Sequence, residues 1–123
     1  MAVVTIEELI NQRELIDERK KQLYELETSV GTILVQQPTA VLIAEADRMK
    51  DSQASNAYIV IECTVSPNLK DPKLLKAFGA LEPLDVVTKV FKYGEVFKIA
   101  EKLTELAGFK DNLAHKIHEK VEK

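Results

Sequence analysis

The segment from Ala57 to Val65, AYIVIECTV, is apolar on nearly every side and must lie in the interior of the folded chain. Its alternate residues are apolar, and the intervening ones become polar at Glu62 and Thr64, which is typical of a half-buried strand. Arranged as a helix beginning at Ser55 or Asn56, the same run is apolar all round except at Glu62, as in a central buried helix. Periodicity over so short a run does not separate the two interpretations.

The composition indicates one small soluble domain over residues 1–123. The chain has 123 residues, of which 46% are hydrophobic and 30% charged, as in an ordinary globular protein with one modest core. A net charge of -3 opposes non-specific nucleic-acid binding, which depends on neutralising phosphates. No segment reaches the roughly 18 apolar residues of a membrane helix, and MAVVTIEELI does not resemble a signal peptide. The single cysteine fits a reducing cytoplasm.

Residues 1–21 predict an N-terminal helix with one narrow apolar face. Thr5 and Glu8 have the spacing of a capping box, in which each side chain satisfies a free backbone N–H group. The apolar face consists of Ile6, Leu9, Ile10 and Ile16. This helix either packs on the domain or projects as an arm that pairs with another copy.

Residues 22–37 change to an alternating period and predict a β-hairpin. Its strands are expected at residues 24–29 and 32–37, around a turn near Val30 and Gly31. Gly31 supplies the positive φ that a tight reversal often requires.

Capping residues, prolines and glycines divide residues 38–123 into helices. In chain order these run from Thr39 to about Lys50, from Asp71 to Gly79, from Glu82 to Phe91, from Glu95 to Ala107, and from Asp111 towards the C-terminus as a charged helix. The fold class is therefore mainly α with a small N-terminal β-hairpin (α+β), a compact helical domain of about five to six helices.

The chemically active residue types are few and do not form a catalytic pattern. Cys63 would be a nucleophile only with a base to activate it, and as a small buried hydrophobe it needs none. His115 and His118 share a helix face, but without a second ligand cluster they are better interpreted as solvated. We predict no catalytic, cofactor or metal site, and no enzyme. The basic run Arg19–Lys21 is the sole support for an alternative, a small helical regulatory or DNA-binding protein.

The predicted helix Glu95–Ala107 has a well-defined apolar arc, with Phe97 at its edge. The favoured interpretation is that Phe97 fills a corner of the core, since aromatic residues contribute most to a small core. The alternative is that Phe97 helps to line a surface for a partner helix. The candidate interaction residues are accordingly Phe91, Tyr93 and Phe97.

Three stretches in a fixed order resemble the XkdN-like phage tail assembly chaperones, a family found in long-tailed phages and prophages of Gram-positive bacteria. They are NAYIVIECTVSPNLKDPKLLKAFGA, EPLDVVTKVFKYGEV and KIAEKLTELAGFKDN, and the hairpin ETSVGTILVQQPT is also similar. The resemblance covers most of residues 22–112 and favours a helix for residues 57–65. The N-terminal helix and the charged tail after Asn112 lie outside it.

The resemblance implies a non-enzymatic role in the host bacterial cytoplasm. Such proteins are expected to bind the tape measure protein, a long and largely helical chain, keep it soluble and promote tail tube assembly, and to be absent from the mature virion. Further implied partners are the major tail protein and a longer form of the same protein made by programmed frameshift, of which this chain would be the short form. A homo-oligomer is a further alternative.

Overall fold

The computed structural model describes residues 2–108, and the helix predicted from Asp111, with its two histidines, lies outside them. Within these residues seven helices surround a three-stranded antiparallel sheet of order β1-β2-β3. The mainly α fold with an N-terminal hairpin is confirmed, while the expected number of five to six helices was too low. The elements are α1 Ile6–Asn11, α2 Arg13–Lys21, β1 Leu23–Thr28, β2 Gly31–Gln36, α3 Ala40–Asp47, α4 Ser52–Cys63, β3 Thr64–Ser66, α5 Pro72–Ala77, α6 Pro83–Val90 and α7 Tyr93–Leu106.

Helix α4 is the centre of the core, as a helix that is apolar all round must be. It begins three residues before the predicted Ser55, because Asp51 caps it by accepting a hydrogen bond from the N–H of Gln53 at 2.9 Å. Its buried residues are Ala57, Ile59, Val60, Ile61 and Cys63. Helices α3, α6 and α7 all pack against it. The helical interpretation of the apolar run is thus confirmed as far as Cys63.

The chain becomes extended directly after Cys63, so the last two residues of the apolar run, Thr64 and Val65, belong to a strand rather than to the favoured helix. Strand β3 pairs antiparallel with β2, with Thr64 opposite Val35 and Ser66 opposite Leu34, and the register shifts between the two pairs. The predicted hairpin is therefore two strands of a three-stranded sheet. Its strands begin and end one residue earlier than expected, and Gly31 has the expected positive φ, 128°.

The predicted helix caps are largely present. Thr39 accepts a hydrogen bond from the N–H of Leu42 at 3.1 Å, and Asp71 accepts one from the N–H of Lys73 at 2.9 Å, with Pro72 in the first turn. Gly79, at φ 64°, ends α5 in a Schellman arrangement. Some boundaries differ from the prediction: α3 ends at Asp47 rather than near Lys50, and α7 begins at Tyr93 rather than after Gly94.

The single N-terminal helix predicted for residues 1–21 is instead two helices, α1 and α2, which are separated at Gln12. Neither of them has a buried residue. Thr5 accepts a hydrogen bond from the N–H of Glu8 at 3.2 Å, but the Glu8 carboxylate accepts from the Thr5 hydroxyl rather than from its N–H. Half of the predicted capping box is therefore formed.

Candidate protein-interaction site

The three predicted interaction residues do not lie on one surface. Phe91 is only 4% exposed and belongs to the core, whereas Tyr93 is 64% and Phe97 55% exposed. The favoured placement of Phe97 in the core was therefore wrong. Tyr93 and Phe97 are four residues apart on α7, so their rings are neighbours on one face of that helix.

A surface groove of about 280 Å³ runs beside these two rings, between the first turns of α7 and the N-terminal half of α4. We call it the α4–α7 groove, and it is lined by Ser52, Gln53, Asn56, Thr88, Tyr93, Gly94, Val96 and Phe97. One side is aromatic, and the other carries the carboxamides of Gln53 and Asn56, which both donate and accept hydrogen bonds. Gly94 leaves open space, since a Cβ added there would meet no atom within 4 Å. The groove thus combines apolar contact with a few polar groups, as binding sites do.

The orientation of the aromatic face follows from the buried face of α7. Val96, Ile99, Ala100 and Leu103 are buried, and α7 packs closely on α4. With these residues directed inwards, Tyr93 and Phe97 project towards solvent at the groove.

The first turn of α7 is also fixed to the hairpin through Glu95. The backbone N–H of Ser29 donates to Oε2 of Glu95 at 2.8 Å, and the Ser29 hydroxyl donates to Oε1 at 2.5 Å. Both carboxylate oxygens are thus used, and charge-assisted bonds of this kind are among the stronger ones. The carboxylate also lies in the first turn of α7, where the helix dipole favours a negative charge.

Cys63 is placed as a core side chain rather than as a nucleophile. It is 1% exposed, and burial, reinforced by the nearby negative charge of Glu62, raises its pKa from 9.0 to about 12. The reactive thiolate is therefore suppressed at neutral pH. On the adjacent surface, the Tyr58 hydroxyl donates a short hydrogen bond to the Glu45 carboxylate, which raises the pKa of Tyr58 to about 12.

Among residues 2–108, no three His, Cys, Asp or Glu side chains come together as a metal site. Over the same residues, no helix is both long enough and apolar enough to cross a membrane. The basic run Arg19–Lys21 forms the last turn of α2, where positive charges complement the helix dipole. The favourable interaction with the helix dipole is a sufficient reason for the basic run, so nucleic-acid binding is not needed to explain it.

A second groove, of about 630 Å³, lies where the end of α2, the segment before α3, α3 itself and the end of α7 meet. Its lining residues are Lys20, Gln37, Pro38, Thr39, Ala40, Ile43, Ala44, Asp47 and Ala107. These residues share no periodic pattern and come together only in the fold, so this groove could not be predicted from the sequence.

The described residues thus define a small α+β protein whose exposed aromatic face and grooves are suited to binding another protein. Residues 35–122, well over half of the chain, match the family model of the phage XkdN-like tail assembly chaperone proteins. The chain belongs to this family. The match begins within β2 and continues through the charged tail, so α1, α2 and β1 lie outside it.

Two comparisons with individual proteins point to the same relative. The chain is 38% identical over 64 residues to the uncharacterized protein YqbN of Bacillus subtilis (strain 168), an alignment that spans 51% of this chain and 43% of YqbN. The aligned part is thus less than half of that relative's length. A crystal structure of the protein YqbN matches the fold with a TM-score of 0.58 and 25% identity, over 72% of this chain and 87% of the YqbN chain.

Proposed function

We propose that this tail assembly chaperone binds the tape measure protein of its phage through the α4–α7 groove. Binding keeps the tape measure protein soluble in the host cytoplasm and promotes tail tube assembly, and the chaperone is absent from the mature virion. The family membership carries this proposal, because it names tail assembly as the process. The exposed pair Tyr93 and Phe97 supplies the surface.

The geometry suits a helical partner. Helices that bind grooves do so through apolar side chains at positions i, i+3, i+4 and i+7, and a long helical chain such as a tape measure protein offers many of these. Aromatic rings are the side chains that most often dominate binding energy at such contacts. The carboxamides of Gln53 and Asn56 provide polar contacts at the margin, which orient a partner without binding it tightly.

A transient contact is what assembly requires, because the chaperone leaves before the tail is complete. The groove is small, so each copy contributes a weak interaction, and many copies along one long chain supply avidity. The net charge of -3 helps to keep such a coated chain soluble. A longer form made by programmed frameshift would carry the same groove, and the major tail protein is a further partner.

The test is co-expression with the tape measure protein of the same phage, with the soluble fraction of that protein as the readout. The wild-type chaperone is expected to raise it, and a Tyr93→Ala/Phe97→Ala variant to lower it to the level without chaperone. For an aromatic side chain central to an interface, the loss of affinity is about tenfold to a hundredfold. Phe78→Ala is the matched control, because Phe78 is an exposed phenylalanine that does not line the groove.

Two outcomes contradict the proposal in different ways. A tape measure protein that stays equally insoluble with and without the wild-type chaperone refutes the function. Full solubilisation by the double variant leaves the function standing and refutes the groove as the binding site.

A further inference from the structure

Helix α3 is apolar on more sides than the described part of the chain covers. Its first five residues, AVLIA, contain no polar side chain, and a helix that is apolar all round belongs in the interior of a protein. Within residues 2–108, however, the one buried residue of α3 is Ala46. Ala40 and Ala44 are exposed, and Ile43 is only partly buried. Part of the apolar surface of α3 is thus left for a further element to cover.

This uncovered surface forms one wall of the second groove described above, which we call the α3 groove. Four of the residues that line the groove belong to α3: Ala40, Ile43, Ala44 and Asp47. Their spacing of i, i+3, i+4 and i+7 places them on one face of the helix. The volume of the α3 groove, about 630 Å³, lies in the range of binding sites. The groove therefore has room for several apolar side chains.

The last described residues of the chain lie at the α3 groove. Ala107, which follows the last residue of α7, also lines it. Gly108 has a φ of 101°, and its N–H donates to the carbonyl of Glu105 at 2.9 Å, so the chain turns away from the axis of α7 at this point. Because two residues span at most about 7 Å, the chain itself keeps the backbone of Phe109 within that distance of Ala107.

The sequence that follows Gly108 has the pattern that suits such a groove. Four apolar residues recur there at intervals of four: Phe109, Leu113, Ile117 and Val121. In a helix, at about 100° per residue, this interval keeps all four within one arc of about 120°. The positions between them are mostly polar or charged. One side of this segment is therefore suited to an apolar groove and the other side to solvent.

We propose that residues 109–123 bind the α3 groove of their own chain and cover the apolar face of α3. The covalent connection through Ala107 favours this occupant over a free partner, because a segment joined to its site by a short linker acts at a millimolar effective concentration. The match to the family model, residues 35–122, includes both α3 and nearly all of this segment, so the two belong to the same matched region. The inference does not depend on which protein occupies the α4–α7 groove.

Alkylation of a thiol introduced on α3 of the full-length protein tests the proposal. Ala44→Cys places the thiol in the α3 groove, and Val41→Cys is the matched control on α3 outside that groove. Both positions are exposed within residues 2–108, so the two thiols should react at similar rates unless a further segment covers one of them. We expect the thiol at position 44 to react at least about tenfold more slowly, because it reacts only when the covering segment opens. Cys63 is 1% exposed and does not compete for the reagent.

Substitutions within residues 109–123 show whether this segment provides the cover. Leu113→Ser/Ile117→Ser should raise the alkylation rate at position 44 to that at position 41, because the apolar side of the segment is lost. His115→Ser/Glu122→Ser is the matched control, since both positions lie on the opposite side at helical spacing, and the rate at position 44 should stay low. Far-ultraviolet circular dichroism checks that each variant is folded, and the milder Leu113→Ala/Ile117→Ala serves if the serine variant is not.

The dependence of the protection on concentration and on partners identifies the occupant. A contact within one chain gives the same protection at about 1 µM and at about 100 µM protein. Protection that increases with protein concentration would assign the α3 groove to a second copy, and protection only after addition of tape measure protein would assign it to that protein. Either result overturns the proposal. Equal rates at positions 44 and 41 in the otherwise unchanged chain overturn it as well, as does protection that survives loss of the apolar side chains at positions 113 and 117.

Discussion

Phe91 and Phe97 allow the same substitution to be made at two nearby positions with opposite surroundings. Phe91 is 4% exposed and Phe97 is 55% exposed. Phe91→Ala removes a ring from the packed core and leaves a cavity, which costs about 3–5 kcal/mol of the free energy of unfolding. Phe97→Ala removes a ring of which less than half is covered. The transfer cost is therefore about 1 kcal/mol, and no enclosed cavity forms.

The higher helix propensity of alanine reduces the cost at Phe97 further. Phe97 lies within α7, where replacing phenylalanine by alanine recovers up to about 0.5 kcal/mol. The net expectation is a loss of about 0.5 kcal/mol at Phe97 against about 4 kcal/mol at Phe91. For a domain whose whole stability is about 5–15 kcal/mol, the difference is large.

Urea unfolding followed by far-ultraviolet circular dichroism measures both values. With a slope of about 2 kcal/mol per M, Phe91→Ala should lower the midpoint by about 2 M and Phe97→Ala by about 0.3 M or less. Phe91→Leu, which leaves a smaller gap, serves if the alanine variant does not fold. A Phe97→Ala midpoint as low as that of Phe91→Ala would show that the Phe97 ring is already covered in the free protein. In that case the α4–α7 groove would not be an available surface.

Three further predictions concern the contacts that support the groove and the core. Glu95→Gln should lower the free energy of unfolding by about 1 kcal/mol, because the amide accepts only one of the two hydrogen bonds from Ser29. A double-mutant cycle with Ser29→Ala should give a coupling energy above about 0.5 kcal/mol. Additive losses in the two single variants would contradict the contact. Cys63 should resist alkylation in the folded protein at pH 8 and react after unfolding. Folding raises the pKa of the Cys63 thiol from 9.0 to about 12, so the thiol loses its proton at a lower pH in the unfolded chain than in the folded one. The free energy of unfolding should therefore fall as the pH rises from 9 towards 12. Cys63→Ala should remove that part of the pH dependence. Lys89→Met should lower Tm by about 2–5 °C, because the Nζ of Lys89 donates hydrogen bonds to the carbonyls of Phe78 and Gly79 at the end of α5. An unchanged Tm would show that water replaces these bonds in the variant.

The features that could be predicted from the sequence are those fixed by short-range hydrogen bonds. Thr39 and Asp71 cap their helices through N–H groups two or three residues away, and Gly79 ends a helix because it accepts a positive φ. These interactions are complete within a few residues, so the local sequence contains all the information they need. The hairpin could also be predicted from the local sequence, since one glycine at the turn and an alternating pattern in the strands specify it.

The features that could not be predicted depend on distant parts of the chain. Strand β3 has three residues and exists because β2 offers it a free edge. The alternating pattern of residues 57–65 allowed a strand there but did not show where the helix ends and the strand begins. Gly94 was taken for a helix breaker, but a glycine keeps its backbone N–H and weakens a helix mainly through its conformational entropy, a cost that the packing of α7 on α4 outweighs. Phe91 follows the last turn of α6 in an extended conformation, with φ -117°. Helical spacing therefore predicts which residues of α6 face the core but does not predict the direction of the Phe91 side chain. The groove itself requires the packing of α7 on α4, and no single segment contains it.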